Sequence, residues 1–263
     1  MEEYYENLDK IFSEASSIYD KKILSNFINV NIRASEMSIL LKHSKTGMKV
    51  LEIGCGTGEE AGQFIRETGN EIVCLDVSDG MINFARNKME KLGISDKFTS
   101  VKRPASEIGL IGDCFDLIYS FNGALNTEPR IRESANGIYN SLKNNGVLIF
   151  SIRNRRCLGE FLLYFILGKN ERIRDRLGET TYVEVVGKKV KSQYYSPNEI
   201  LSIFERFKLI QKKGLAIILP PYLAEKISSR FVKRLVTFLE NVLSSLPFFS
   251  SLGDEVIYVF RKG

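Results

Sequence analysis

Glu52, Gly54, Gly56, Gly58 and Asp76 are the residues whose types and spacing point to chemistry. Three glycines at alternate positions permit a turn too tight for a Cβ and let a ligand lie directly on the backbone. Asp76 comes eighteen residues after Gly58, at the end of a second apolar run (Ile72, Val73, Cys74, Leu75). In a doubly wound sheet, a carboxylate at that place grips the hydroxyls of a ribose. The dinucleotide fingerprint G-x-G-x-x-G sets a helix N-terminus against a pyrophosphate. Here the spacing is G-x-G-x-G, and Glu52 stands two residues ahead of the first glycine. An anion-binding loop gains nothing from that acid, whereas a loop near an ammonium group does. A glycine turn with no ligand is the plain alternative, and the placing of Asp76 argues against it.

The elements that must hold these residues follow from apolar periodicity. Val50, Leu51 and Ile53 suit a buried parallel strand, and Ala61, Phe64 and Ile65 a helix after the loop. Ahead of them, residues 5–43 read as helix, with Leu8, Ile11, Phe12, Ile28, Ile32, Ile39 and Leu40 at helical spacing. After Asp76 a helix through Ile82, Phe84, Ala85 and Met89 is capped by Ser78 or Asp79. Further strands are expected over 98–102, 115–120 and 147–152, with a helix over 128–142 that stops at Asn144-Asn145-Gly146. The strand–helix alternation over 50–152 predicts parallel pairing throughout.

Residues 153–196 break that rhythm. An amphipathic helix (Leu158, Phe161, Leu162, Phe165, Ile166), a charged one over 171–176 and a hairpin over 182–190 form an insertion covering the site. Ser196 and Pro197 then open a helix, a strand follows over 209–219, and Pro220-Pro221 ends it. A helix over 222–246, with Leu223, Ile227, Phe231, Leu235, Phe238, Leu239 and Leu243 on one face, precedes a last strand over 256–260. The expected organisation is a single domain over 1–263. Its parts are a leading helical cover (1–47), a ligand-binding core (48–152), the insertion (153–196) and the rest of the sheet with its long helix (197–263).

The run Glu52-x-Gly54-x-Gly56-x-Gly58 resembles the first motif, E/D-x-G-x-G-x-G, of the class I S-adenosylmethionine-dependent methyltransferases. The wider pattern, most specific over 50–152, resembles their UbiE-like, type 11, small-molecule branch. The resemblance implies an α/β fold with a doubly wound, seven-stranded, mostly parallel Rossmann-like sheet. It implies S-adenosylmethionine as cofactor and S-adenosylhomocysteine as product. Cofactor contacts are expected from Glu52, Gly54, Cys55, Gly56 and Gly58, and from Asp76, Val77 and Met81, the last packed on adenine. Related enzymes commonly have Gly-Asp-Ala after the third strand. Pro104 occupies the aspartate's place here, so Ala105 or Ser106 is expected to substitute. Ser120 ends the fourth strand, and the loop from Phe121 to Asn126 after it faces cofactor and acceptor, with Ser120, Phe121 and Asn122 expected among the cofactor contacts. A Tyr-Asp pair in the leading segment of related enzymes makes Tyr19 and Arg33 candidates for the cover over the cofactor, Arg33 facing the methionyl carboxylate. Asn122 and Tyr195 are the expected catalytic residues, and Arg153 emerges on the same sheet edge.

Methyl transfer from a sulfonium needs near-attack geometry and exclusion of water, and a base only where the nucleophile must lose a proton. The lack of a Ser/His/Asp or paired-carboxylate constellation agrees with that chemistry. His43 precedes a polar turn, as a solvent-exposed histidine does. The expected acceptor is a small molecule, bulky and partly apolar, because the faces of 158–166 and 223–243 exceed what a small sheet needs. Contact of the second helix with a membrane surface competes with its use as a buried core face. The stretch 153–213 carries 14 basic and 7 acidic side chains, yet it lacks the interleaved aromatics of a nucleic-acid surface. An RNA or protein methyltransferase and a non-catalytic nucleotide-binding module are the competing readings.

At 263 residues with 44% hydrophobic content the chain can build a sizeable core. Cys55, Cys74, Cys114 and Cys157 have no C-x-x-C spacing, so reduced thiols in the cytoplasm and no metal are expected. The acidic start, Met-Glu-Glu-Tyr-Tyr-Glu, is no signal peptide, and no apolar run approaches the ~20 residues that span a bilayer.

Overall fold

The computed structural model describes every residue except Asp113, Glu179 and Lys226. Two helices lead, α1 (Glu2–Leu24) and α2 (Phe27–Lys42). The single helix expected over 5–43 is broken at Asn26, whose side chain accepts from the Ile28 amide and caps α2. The regular alternation follows: β1 (Val50–Ile53), α3 (Glu59–Thr68), β2 (Ile72–Asp76), α4 (Asp79–Leu92), β3 (Phe98–Lys102), β4 (Phe115–Ser120), α5 (Ile131–Ser141) and β5 (Leu142–Arg153). Strand β5 starts earlier than the periodicity suggests. Leu142 already pairs with Phe115, and a register shift before the Leu117–Val147 pair absorbs the polar residues 143–146.

The insertion consists of α6 (Leu158–Ile166), α7 (Asn170–Leu177) and the antiparallel hairpin β6 (Thr180–Val185) and β7 (Lys188–Gln193). Then come α8 (Pro197–Ile203), β8 (Phe207–Leu215), α9 (Pro221–Ala224), α10 (Arg230–Ser245) and β9 (Glu255–Lys262). Helix α8 opens as expected, with Pro197 in its first turn and a reciprocal capping box between Ser196 and Glu199.

The seven-stranded sheet has the order β3-β2-β1-β4-β5-β9-β8. Strands β1 to β5 are parallel, and β9 runs antiparallel to both of its neighbours. Strand order reverses between β1 and β4, so their carboxyl ends diverge and leave a crevice. Successive strand residues enter opposite layers: Tyr119 and Ile149 pack with Leu40 and Phe64, while Ile118 and Phe150 pack with Ile138 and Phe260. Both faces are covered, which is why these strands are apolar throughout.

The helix expected over 222–246 is two helices, and its apolar face is turned outward. Phe231, Leu235, Phe238 and Leu239 are exposed, whereas Glu240 and Ser244 are buried. Two backbone amides decide the rotation. The Ile217 and Ile218 N–H groups donate to the Glu240 carboxylate at 2.6 and 3.0 Å, so the acid must face the protein. Helix α6 repeats the arrangement. Glu160 is buried against Arg176 of α7, and Leu162, Phe165 and Ile166 face solvent.

Candidate functional site

A cavity of about 220 Å³ lies at the crevice, walled by the loops after β1, β2 and β4 and roofed by α1 and the hairpin. Its floor is the glycine loop. Gly54, Gly56 and Gly58 have φ of 73°, 50° and 73°, in the left-handed region that glycine enters without strain. A Cβ on Gly54 would run into Ala124, whereas one on Gly56 would meet nothing within 4 Å and would project into open space. Asp76 ties this loop to β2. One carboxylate oxygen accepts from the Gly56 amide at 2.8 Å and the other from the Ser78 amide at 2.9 Å. Burial pushes the Asp76 pKa up, against the opposing pull of these amides.

Helix α1 is fastened over the floor along its length. Tyr5 donates to Glu128 at 2.6 Å, and Asp9 accepts from the Asp79 amide at 2.9 Å. Ser13 accepts from the Gly80 amide at 2.9 Å. Asp20 accepts from Thr57 at 2.5 Å and from Lys88 at 2.7 Å. Glu14 reaches Lys188 of the hairpin at 2.6 Å, joining the two halves of the roof. Beneath α1 lies a polar cluster. Arg33 Nε donates to Asn122 Oδ1 at 3.3 Å and lies 3.1 Å from Glu60 Oε1, to which Asn122 Nδ2 also donates at 3.1 Å. Burial pulls the Arg33 pKa down, but the Glu60 carboxylate more than offsets it and the guanidinium stays charged. Its Nη1 is buried with no partner among the described residues. Asn122 sits at φ 56°, a strained setting that an asparagine tolerates.

Of the residues singled out in the sequence, Tyr19, Arg33, Gly54, Cys55, Gly56 and Asp76 reach the cavity wall, as do Val77, Met81, Ala105, Phe121 and Asn122. Five do not. Glu52 points into the layer beneath, where Cys74 Sγ donates to it at 3.5 Å, and burial lifts its pKa to about 8. The strand's alternation puts Glu52 on the face away from the loop's ligand side. Gly58 packs under α4, close to Ala85 and Met89. Ser106 is engaged by Tyr5 at 3.2 Å, and Ser120 donates back to the Ile53 carbonyl at 3.0 Å. Tyr195 is buried behind the wall, donating to Gln193 at 2.5 Å, and burial drives its pKa up. It bridges to Asn154 rather than roofing the crevice.

Wall residues that escaped the motif reading include Thr57, Glu60 and Glu128. Glu60 was the most accessible to sequence reasoning, as an acid in the first turn of the helix that follows the loop. Arg153, at the end of β5, reaches the wall together with Val183 and Val185 of the hairpin.

The profile of a methyltransferase domain matches residues 44–216. An uncharacterized protein of Methanocaldococcus jannaschii is 26% identical over 91% of this chain and 88% of its own length. The UbiE ubiquinone/menaquinone biosynthesis C-methyltransferase of Idiomarina loihiensis is 30% identical, over 41% of this chain and 44% of its own. The sterol 24-C-methyltransferase of Aspergillus fumigatus is 31% identical over 39% of this chain, which spans about a quarter of that enzyme (27%). Among solved structures, an S-adenosylmethionine-dependent methyltransferase of Clostridium acetobutylicum shares the fold at TM-score 0.59 and 15% identity, covering 94% of this chain and 97% of its own. The chain belongs to the methyltransferase-domain family, and its cofactor is S-adenosylmethionine.

Proposed function

We propose that this enzyme passes the methyl group of S-adenosylmethionine to a small, partly apolar acceptor that lies between Asn122, Arg153 and the hairpin valines. One observation carries the reading: a single cavity joins the glycine loop and Asp76 to an apolar end under α1 and the hairpin. Two features of that cavity fit the cofactor. Gly56 leaves open the space that a Cβ would fill, and Arg33 holds an unpartnered buried N–H where an amino-acid carboxylate would satisfy it.

The roles follow from position. Asp76 accepts from ribose hydroxyls, Val77, Met81 and Ala105 border the adenine, and Arg33 pairs with the methionyl carboxylate. Glu60, already beside Arg33 and Asn122, takes the place near the ammonium that the sequence assigned to Glu52. When bound, the cofactor supplies a methyl on a sulfonium, a carbon that already carries an excellent leaving group. The protein's part is to hold the acceptor in line and exclude water. Leu8, Phe12, Ala15, Ile18 and Ile23 of α1 and the hairpin valines supply a dry wall for that purpose. Arg153 lines the cavity and faces a polar or anionic group of the acceptor. The cysteines are unpaired, which supports a reducing, cytoplasmic setting.

Calorimetry with S-adenosylmethionine, S-adenosylhomocysteine and NAD tests the cofactor half, with micromolar binding expected of the first two alone. Incubation with labelled cofactor and fractionated extracts tests the acceptor half. Label recovered only in RNA or protein would overturn the small-molecule reading.

A further inference from the structure

Two helices of this protein are amphipathic in the inverted sense. On α10, Phe231, Leu235, Phe238 and Val242 recur at helical spacing on the solvent side, with Phe231 74% and Phe238 63% exposed. On α6, Leu162, Phe165 and Ile166 do the same, Phe165 and Ile166 being 72% and 78% exposed. In each helix the inward position is taken by a glutamate with a fixed partner, Glu240 on the Ile217 and Ile218 amides and Glu160 on Arg176. The outward face is therefore held in place and does not relax into the core. Both helices abut the same segment: the Gly159 N–H of α6 donates to the Ile217 carbonyl at 2.9 Å, opposite the Glu240 contacts. Large apolar side chains exposed along two helix faces mark an interaction site.

Charge identifies the occupant. The acid of α10, Glu240, is buried, while Arg230 and Arg234 are exposed and have no ion pair among the described residues. Lys233 lies over the Phe27 ring at 5.6 Å, and Lys169 follows the exposed tip of α6. Phenylalanines and leucines bordered by unpaired cations suit the boundary between headgroups and acyl chains of an anionic bilayer. The place in the fold agrees. Asn31 of α2 donates to Thr237 of α10 at 2.9 Å, and Asn26 donates to the Pro221 carbonyl at 2.8 Å. These bonds tie α10 to α2, and α9 to the joint between α1 and α2, where Leu24 is exposed and Ile23 lines the cavity.

We propose that the outward faces of α10 and α6 dock this enzyme on an anionic lipid surface. Docking brings the α1–α2 end of the cavity close to the bilayer, from which a partly apolar acceptor would enter. That last step rests on the acceptor reading above; the docking itself does not.

Vesicle sedimentation tests it without any acceptor. The full chain is expected to sediment with vesicles of phosphatidylcholine and phosphatidylglycerol and to stay in solution with phosphatidylcholine alone. Phe231→Ser with Phe238→Ser, and separately Arg230→Glu with Arg234→Glu, should each lower binding about tenfold or more. Raised salt should weaken the wild type. Both variants should keep wild-type calorimetric affinity for S-adenosylhomocysteine, which shows that they fold. Equal binding to both vesicle types, no binding to either, or unchanged binding by the two variants would overturn the proposal. So would a dimer in analytical ultracentrifugation that the phenylalanine variant dissociates, because a second copy would then cover the face.

Discussion

Residues 50–126 and residues 153–246 solve the burial of polar groups in opposite ways. In the first stretch apolar side chains fill the layers and, apart from Glu52 and Glu60 on side-chain partners, backbone groups hold the polar ones: Asp76 on the Gly56 and Ser78 amides, Ser120 on the Ile53 carbonyl. In the second, charged side chains face inward. Glu240 satisfies two strand amides, and Arg176 joins Glu160 to Asp254, the latter at 2.8 Å. The apolar residues of those helices are left outside. The difference is one of direction: backbone groups hold the polar groups of the ligand site, whereas buried ions turn the apolar faces of α6 and α10 outward.

The largest expected effect breaks the first stretch. Gly56→Val puts a branched side chain into the cavity at φ 50°, so it both fills the ligand's place and strains the loop. Cofactor affinity should fall roughly 100-fold or more by calorimetry, with a lowered but still cooperative melting transition. Asp76→Ala comes next. It removes a charged acceptor for the ribose and frees the Gly56 amide, which should weaken cofactor binding by about 1–3 kcal/mol. Binding as tight as in the parent would end the ribose assignment.

A third prediction tests a buried acid pair outside both stretches. Glu36 of α2 and Glu255 of β9 are buried beside Ser151. Burial, reinforced by the Glu255 charge, lifts Glu36 to about 8, and burial lifts Glu255 to about 7 against the pull of Arg153. Both start from an ordinary value of 4.5, so the folded state binds more protons than the unfolded state between that value and about 8. Stability is then whole below the ordinary carboxylate range and declines as pH rises through about 7 and 8. Glu36→Gln should therefore raise Tm relative to the parent at pH 9 and gain little or nothing at pH 4, read by parallel thermal melts.

The contrast also explains what could be read in advance. The parallel half of the sheet, the glycine loop and Asp76 follow from apolar periodicity and one motif, because the local backbone determines them; Tyr19, Arg33, Met81 and Ala105 are implied only by the family resemblance, and they lie on the cavity wall. The Glu52 side chain stays off the cavity wall because its spacing from Gly54 specifies the loop, while the pleat sends its side chain to the other layer. The outward rotation of α10 was hidden for a different reason. Hydrophobic periodicity identifies a face and leaves its direction open, and the Ile217 and Ile218 amides that decide it lie more than twenty residues away in the chain. The Arg33, Glu60 and Asn122 cluster likewise needs three distant segments to meet.

Arg153 and Tyr195 make the smallest and sharpest test, since the sequence placed both near the acceptor, their backbones pair at 3.2 Å, and yet only Arg153 lines the cavity. Arg153 lines the cavity, so Arg153→Gln should raise the acceptor KM about tenfold, the loss of one charged hydrogen-bond partner, while cofactor affinity holds. Tyr195 does not reach that wall. Its hydroxyl is committed to Gln193, and its ring packs with Ile200 and Phe204 under the sheet. Tyr195→Phe keeps the ring and loses only that hydrogen bond, so turnover should stay within about twofold of the parent and stability should drop by about 1 kcal/mol. Measuring both variants with one acceptor decides between two arrangements. A tenfold loss of turnover in Tyr195→Phe with normal kinetics in Arg153→Gln would mean that the hairpin side opens during the reaction and that Tyr195 swings into the crevice. The opposite result fixes the acceptor between Arg153 and Asn122, with Tyr195 as part of the support behind them.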